Sequence, residues 1–340
     1  MANTRIKLLA GVAAFSLTLA ACNSDSDTNG SDTSAETTSV AADNAADVVE
    51  IEDNYGVQEI PANPQRVAVT DNRAFEILEA WDIPVVAAPK RLIPSTVDSM
   101  KNDDDIVDLG SHREPDLEAL VAAQPDLIIN GQRFTQHYDE IKRLNPDVAI
   151  VDFTPRDDED FAEDMIRQTR ALGEIFGKQD EAQALIDNFE TAIQRAKDAY
   201  NSDWTVMAVN VSGGEIGYVA PSIGRTWGPI FDILGLTPAL QVEQASDDHK
   251  GDDISVEAIA ESNPDWMLVL DRDAAVSARE EADYVAAKDV IENSEALQNV
   301  TAIQENHVIY APEDTYTNEN IITYTEMLDE MADAFEAAQN

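Results

Sequence analysis

Two arginines stand at matching places in a phrase that the chain uses twice. Residues 118–133 read EALVAAQPDLIINGQR, and residues 257–272 read EAIAESNPDWMLVLDR. Each opens on Glu-Ala, reaches Pro-Asp seven residues after the Glu, and ends on Arg fifteen residues after it. Arginine keeps its charge at any physiological pH, forks onto anionic oxygens and stacks on aromatic rings. Arg133 and Arg272 therefore suit recognition of an anion. Catalytic signatures give no competing lead: GxSxG, HExxH, the P-loop and GxGxxG do not occur. The glycine-rich stretch 213–217 has neither P-loop spacing nor its lysine. A secreted enzyme of unknown class stays a remote alternative. A bare zinc or manganese site wants clustered His and carboxylates, whereas His112, His137, His249 and His307 are scattered.

The elements that must position the two arginines read alike in both copies. Glu118 and Glu257 fall in the first turn of a helix, with Pro115 and Ser255 as start residues just upstream. Pro-Asp breaks the helix and feeds an apolar strand, and the Arg lies just past the strand's carboxyl end. Ligands of open α/β sheets bind outside the carboxyl ends of the strands. If two such units face each other, both arginines point into the cleft between them. The glutamates are expected at the opposite end from the arginines. Around these copies, short apolar runs alternate with amphipathic segments, as βαβ units with a mainly parallel sheet require. Strands are expected at 66–69, 84–87, 126–129 and 148–151, then at 205–209, 266–270 and 307–310. The alternation stops between Asp157 and about residue 202, which reads as helical throughout, Gly177 closing one helix before a second of ~20 residues, roughly 30 Å long. The expected fold is α/β: two Rossmann-like lobes, residues 48–156 and 203–340, joined by a long rigid helix in the connector 157–202, with a ligand cleft between them.

The first 47 residues differ in kind. Arg5 and Lys7 precede an apolar run of about a dozen residues, Leu8 to Leu19, too short to span a bilayer comfortably. Leu19-Ala20-Ala21-Cys22 follows, and Cys22 is the only cysteine of the 340 residues. The pattern looks like a bacterial lipobox, with residues 1–21 as signal peptide and Cys22 as the lipidated first residue. Residues 22–47 are rich in Ser, Thr, Asp, Asn and Ala and form a flexible tether with a reach of roughly 25–30 Å. The expected location is the outer face of the cytoplasmic membrane, held there by lipid. Against 22 Lys and Arg stand 67 Asp and Glu, a net charge of −45. Nucleic acid, whose binding rests on phosphate neutralisation, is therefore not an expected partner.

With these stretches in view, the chain resembles the substrate-binding lipoproteins of ABC importers for ferric siderophores, in the subgroup whose two lobes are joined by a rigid helix. The resemblance covers nearly the whole mature chain. It rests on residues 63–69 (NPQRVAV), 114–118 (EPDLE), 124–129 (QPDLII), 224–227 (GRTW), 263–266 (NPDW) and above all 269–275 (VLDRDAA). These point to the catecholate branch. The resemblance implies a monomeric, non-catalytic receptor without an intrinsic cofactor, taking a ferric siderophore and docking on a permease with its ATPase. It implies three cleft arginines, which fall on Arg133, Arg225 and Arg272. An iron complex of three catecholates carries −3, which three arginines would balance. Some members complete the iron coordination with a His and a Tyr; the nearest positions are His249 and Tyr316, although Asp314-Thr315 stands where aromatics precede that Tyr. The resemblance also implies one permease-docking acid per lobe, at positions that fall on Glu118 and Glu257. Haem and cobalamin remain open as ligands on the same fold.

Overall fold

The alternation of apolar runs resolves into two five-stranded sheets. The computed structural model describes residues 48–157, 159–242 and 245–339; the signal peptide, Cys22 and the tether lie outside the described residues. An antiparallel hairpin, β1 (Val48–Asp53) and β2 (Gly56–Pro61), opens the described chain. A parallel sheet follows, with β3 (Val67–Val69), β4 (Val85–Ala88), β5 (Val107–Asp108), β6 (Leu127–Asn130) and β7 (Ala149–Asp152) in the order β5-β4-β3-β6-β7. Helices α1 (Phe75–Ala80), α2 (Leu117–Ala122) and α3 (Tyr138–Leu144) connect its strands. The order reverses beside β3, so the loops after β3 and β6 diverge above a topological switch point.

Two helices follow, α4 (Phe161–Phe176) and α5 (Gln179–Ala199). Asp160 caps α4, its Oδ1 accepting from the Glu163 N–H at 3.0 Å, and Gly177 ends it at φ 65°. The second sheet contains β8 (Thr205–Ser212), β9 (Glu215–Val219), β10 (Trp266–Asp271) and β11 (Val308–Tyr310) in the order β9-β8-β10-β11, with Thr237–Pro238 also paired to β8. Only β9 runs antiparallel. It belongs to a hairpin turned by Gly213 and Gly214 at φ 62° and 76°, the positive values that a tight two-residue turn demands. Helices α6 (Gly228–Leu234) and α7 (Val256–Ser262) connect this lobe, and α8 (Ile321–Ala338) closes the chain.

The connector holds two helices, as the break at Gly177 predicts. The shorter, α4, touches β1, α6 and α8, while α5 lies along α8. One apolar core runs from Val67 and Phe75 of the first lobe through Leu172 and Phe189 to Trp227, Trp266 and Phe335 of the second. Smaller clusters fill the outer face of each sheet, around Ile128 in the first lobe and Val269 in the second. A shared core makes the lobes one mechanical body more than two hinged ones.

The repeated phrase is one supersecondary unit built twice. The residue before each Pro is left-handed, Gln124 at φ 48° and Asn263 at φ 45°. The Asp126 carboxylate accepts from the backbone N–H groups of Gln65 and Arg66 at 2.8 and 2.9 Å. Asp265 accepts from the Thr205 N–H at 2.7 Å and from its hydroxyl at 2.9 Å. Each Asp thus ties the start of the repeat strand to the start of its parallel neighbour, β3 in one lobe and β8 in the other.

Candidate functional site

Arg133 lies in the turn just after β6, and Arg272 directly follows β10. Arg225 sits two residues beyond Ile223, in the loop between β9 and α6. These three come from distant parts of the chain and meet around one ring. Their guanidinium carbons stand 5.0 Å (Arg133), 4.4 Å (Arg225) and 5.0 Å (Arg272) from the centroid of Tyr316. Such distances are within cation–π range. Tyr316 is 5% exposed, in the segment between β11 and α8. Burial alone would raise the Tyr316 hydroxyl pKa, but the charges of Arg225, Arg133 and Arg272 outweigh it and hold it below the ordinary tyrosine value.

That segment is clamped by the first lobe. Asn72 donates to the Thr317 carbonyl at 2.8 Å, and Asn318 and Asn320 donate to Glu76 at 2.9 and 2.8 Å. The Thr96 hydroxyl donates to Asp314 at 2.5 Å. Tyr316 is therefore fixed from both lobes at the floor of the cleft.

The arginines differ in what already answers their charge. Arg225 forks onto Glu319, with Nε 3.1 Å from both oxygens and Nη2 2.5 Å from Oε2, and Thr226 donates to Glu319 at 2.6 Å. Burial would raise the Glu319 carboxyl, yet Arg225 brings it down to about 2. Arg272 faces Asp273 at 2.9 Å. Among the described residues no carboxylate bonds Arg133, and its Nη1 and Nη2 are buried without a well-formed hydrogen bond, although Tyr316 and Glu319 favour its charge. Burial and the neighbouring Arg225 charge lower its pKa from the ordinary arginine value. The one-for-one balance of three arginines against a −3 complex is thus corrected: two of the three already face carboxylates.

Two adjoining cavities share Arg133, Arg225 and His249. The smaller, about 290 Å³, also takes in His112, Arg113, Arg272 and Tyr316. The larger, about 590 Å³, extends to Arg73, Gln132, Phe161 and Tyr324, and Asp157, Asp247 and Asp248 also line it. His249 lines both, its side chain 42% exposed. Burial and the Arg272 charge lower its pKa against the pull of Asp248, which favours a neutral imidazole with a free lone pair. Among the described residues no group of three or more His, Cys, Asp or Glu gathers as a metal site.

Glu118 and Glu257 are exposed in the first turns of α2 and α7. Asp116, and not Pro115, caps α2, while Ser255 caps α7 as expected. Their expected position opposite the arginines is corrected. A helix that precedes its strand runs antiparallel to it, so the helix start lies beside the strand's carboxyl end. Glu118 shares a surface hollow with His137, which ends the turn that carries Arg133. Sequence reasoning missed Arg73, Arg113 and Glu319. Only the position of Arg73, four residues past β3, resembles the placement that singled out Arg133. The glycine-rich stretch 213–217 runs into the strand β9.

Comparisons with known proteins identify relatives of the whole fold. The family model described as periplasmic binding protein matches residues 67–315. The petrobactin-binding protein YclQ of Bacillus subtilis is 30% identical over 284 residues, covering 82% of this chain and 84% of its own length. The ferric-anguibactin-binding protein FatB of Vibrio anguillarum is 28% identical, covering 84% and 87%. Among solved structures, the periplasmic catecholate-siderophore binding protein VctP of Vibrio cholerae superposes with a TM-score of 0.70 at 26% identity, covering 86% of this chain and all of that one.

Proposed function

This chain belongs to the periplasmic binding protein family, and on that premise we propose that it captures a ferric siderophore, an anionic catecholate, outside the cytoplasm and hands it to the permease of an ABC importer. One observation carries the reading: three guanidinium groups surround the Tyr316 ring, and the terminal nitrogens of Arg133 are buried without acceptors. An anionic aromatic ligand offers both oxygens and ring faces to such a group. Arg133, Arg225 and Arg272 bind it. His249 and Tyr316 complete the iron's coordination when the ligand brings fewer than three catechols, since a neutral imidazole and a phenol with a lowered pKa are both metal donors. The role is capture and delivery, without catalysis.

Cys22 anchors the chain by lipid to the outer face of the cytoplasmic membrane, and residues 23–47 leash a monomeric receptor near its permease. Glu118 and Glu257 present one carboxylate per lobe to basic residues of that permease. Charge reversal at both is expected to leave ligand affinity within about twofold and to abolish uptake in an iron-transport assay. A large loss of affinity would instead place those acids in the ligand site.

Tryptophan fluorescence of the full chain, titrated with ferric catecholates, haem and cobalamin, tests the ligand class. Saturable quenching by a ferric catecholate at sub-micromolar concentration is expected. Tight haem or cobalamin binding with no response to any catecholate would overturn the proposal.

A further inference from the structure

Arg73 has no part in the reading above, yet it is built into the cleft. It follows β3 at the switch point, in the loop beside the one that carries Arg133. The turn that presents it is fixed. Asp71 Oδ1 accepts from the Arg73 backbone N–H at 3.0 Å, and Asp71 Oδ2 accepts from Gln168 of α4 at 2.8 Å. Gly131 leaves room for that carboxylate, since a Cβ there would lie 2.6 Å from Asp71 Oδ2. The Arg73 side chain reaches the larger cavity, where its Nε and Nη1 are buried without hydrogen bonds among the described residues. Its charge favours the ionised form of the buried Asp71 and is also felt by Glu319 and Tyr324. Of the nearby acids, Glu319 accepts from Arg225 and Thr226, and Asp71 from the Arg73 backbone N–H and Gln168.

The volumes give this free donor a purpose. The compartment around Tyr316, about 290 Å³, lies at the lower limit for a small-molecule site of roughly 300–1,000 Å³. A ligand seated there must continue into the compartment of about 590 Å³, which Arg73 lines. Asp157, Asp247 and Asp248 also line that compartment and repel added negative charge, so an anionic group held there needs a cation of its own. We infer that Arg73 binds a carboxylate on the ligand that is not among its iron-binding oxygens, so that the native siderophore carries a free acid beside its chelating groups. The inference rests on the ferric-siderophore reading and names the ligand more narrowly.

Two probes separate the possibilities: the ferric complexes of 3,4-dihydroxybenzoate and 3,4-dihydroxybenzamide, the same catechol with and without a free carboxylate. Full-length chain, wild type and Arg73→Met, is titrated with each by tryptophan fluorescence. Arg113→Met serves as a charge control in the smaller compartment. Arg73→Met is expected to weaken the benzoate complex about tenfold or more and the benzamide complex less than about twofold, while Arg113→Met shifts both alike. Equal losses for the two probes at Arg73 would make it a general cleft charge and overturn the inference, as would no loss for either. If Arg73→Met does not fold, Arg73→Gln carries the same comparison. A wild-type chain that binds neither probe overturns the ferric-catecholate reading itself, an outcome distinct from any pattern at Arg73.

Discussion

A guanidinium whose terminal nitrogens are buried without acceptors destabilises the free protein, and a ligand that supplies acceptors removes the penalty. Arg133 is in that position, whereas Arg225 is held by Glu319. The two should respond oppositely to truncation. Arg133→Met is expected to weaken ferric-catecholate binding by about ten- to a hundredfold while leaving the thermal midpoint of the free chain unchanged or higher. A fall in midpoint with affinity intact would make Arg133 structural. Glu319 offers a pH test. Its folded value of about 2 lies below the ordinary 4.5, so its stabilisation is present above the ordinary value and is lost as pH falls through the folded one. The stability difference between wild type and Glu319→Gln should therefore be full above about pH 4.5 and shrink toward pH 2, as read by urea unfolding across that range. A difference constant with pH would mean that Glu319 is not ionised in the fold. The repeat made Arg133 and Arg272 legible, and the resemblance added Arg225. Glu319 was not legible, because its partner lies 94 residues away and only the folded path joins them.

At the scale of elements, most of the strand–helix alternation was readable, because buried parallel strands such as β6 and β10 are unbroken apolar runs. The hairpins β1–β2 and β8–β9 were harder to read. The former is half exposed with mixed polarity, and the latter hides a strand in glycine-rich sequence. The opposite-ends expectation for the glutamates failed on direction alone: it followed the order of residues and not the antiparallel run of helix and strand. The Pro-Asp echo proves to serve the architecture, since both carboxylates tie paired strands together. Asp126→Ala and Asp265→Ala should each cost about 1–3 kcal/mol in urea unfolding and leave ligand affinity within about twofold. A neutral effect on stability at either site would contradict the shared role.

The whole molecule sets two fields against each other: a net charge of −45 on the full sequence and a cluster of arginines in the cleft. Charges beyond about 8 Å are largely screened at physiological salt, so the local cluster governs the bound state. At low salt the long-range field repels an anionic ligand on approach. Stopped-flow association with a ferric catecholate should therefore speed up as ionic strength rises from about 10 to 150 mM. A rate that falls with salt would mean that the cleft potential dominates at range. The common core through α4 and α5, with the clamp on residues 314–320, makes large lobe closure an unexpected response to ligand. The central claim is that Arg133, Arg225, Arg272 and Tyr316 together hold the iron complex. Diffraction at the iron absorption edge from crystals grown with a ferric catecholate tests it most directly. One anomalous peak is expected inside the cavity bounded by those four side chains; a peak on the acidic surface, or none in the cleft at full ligand saturation, would contradict that claim.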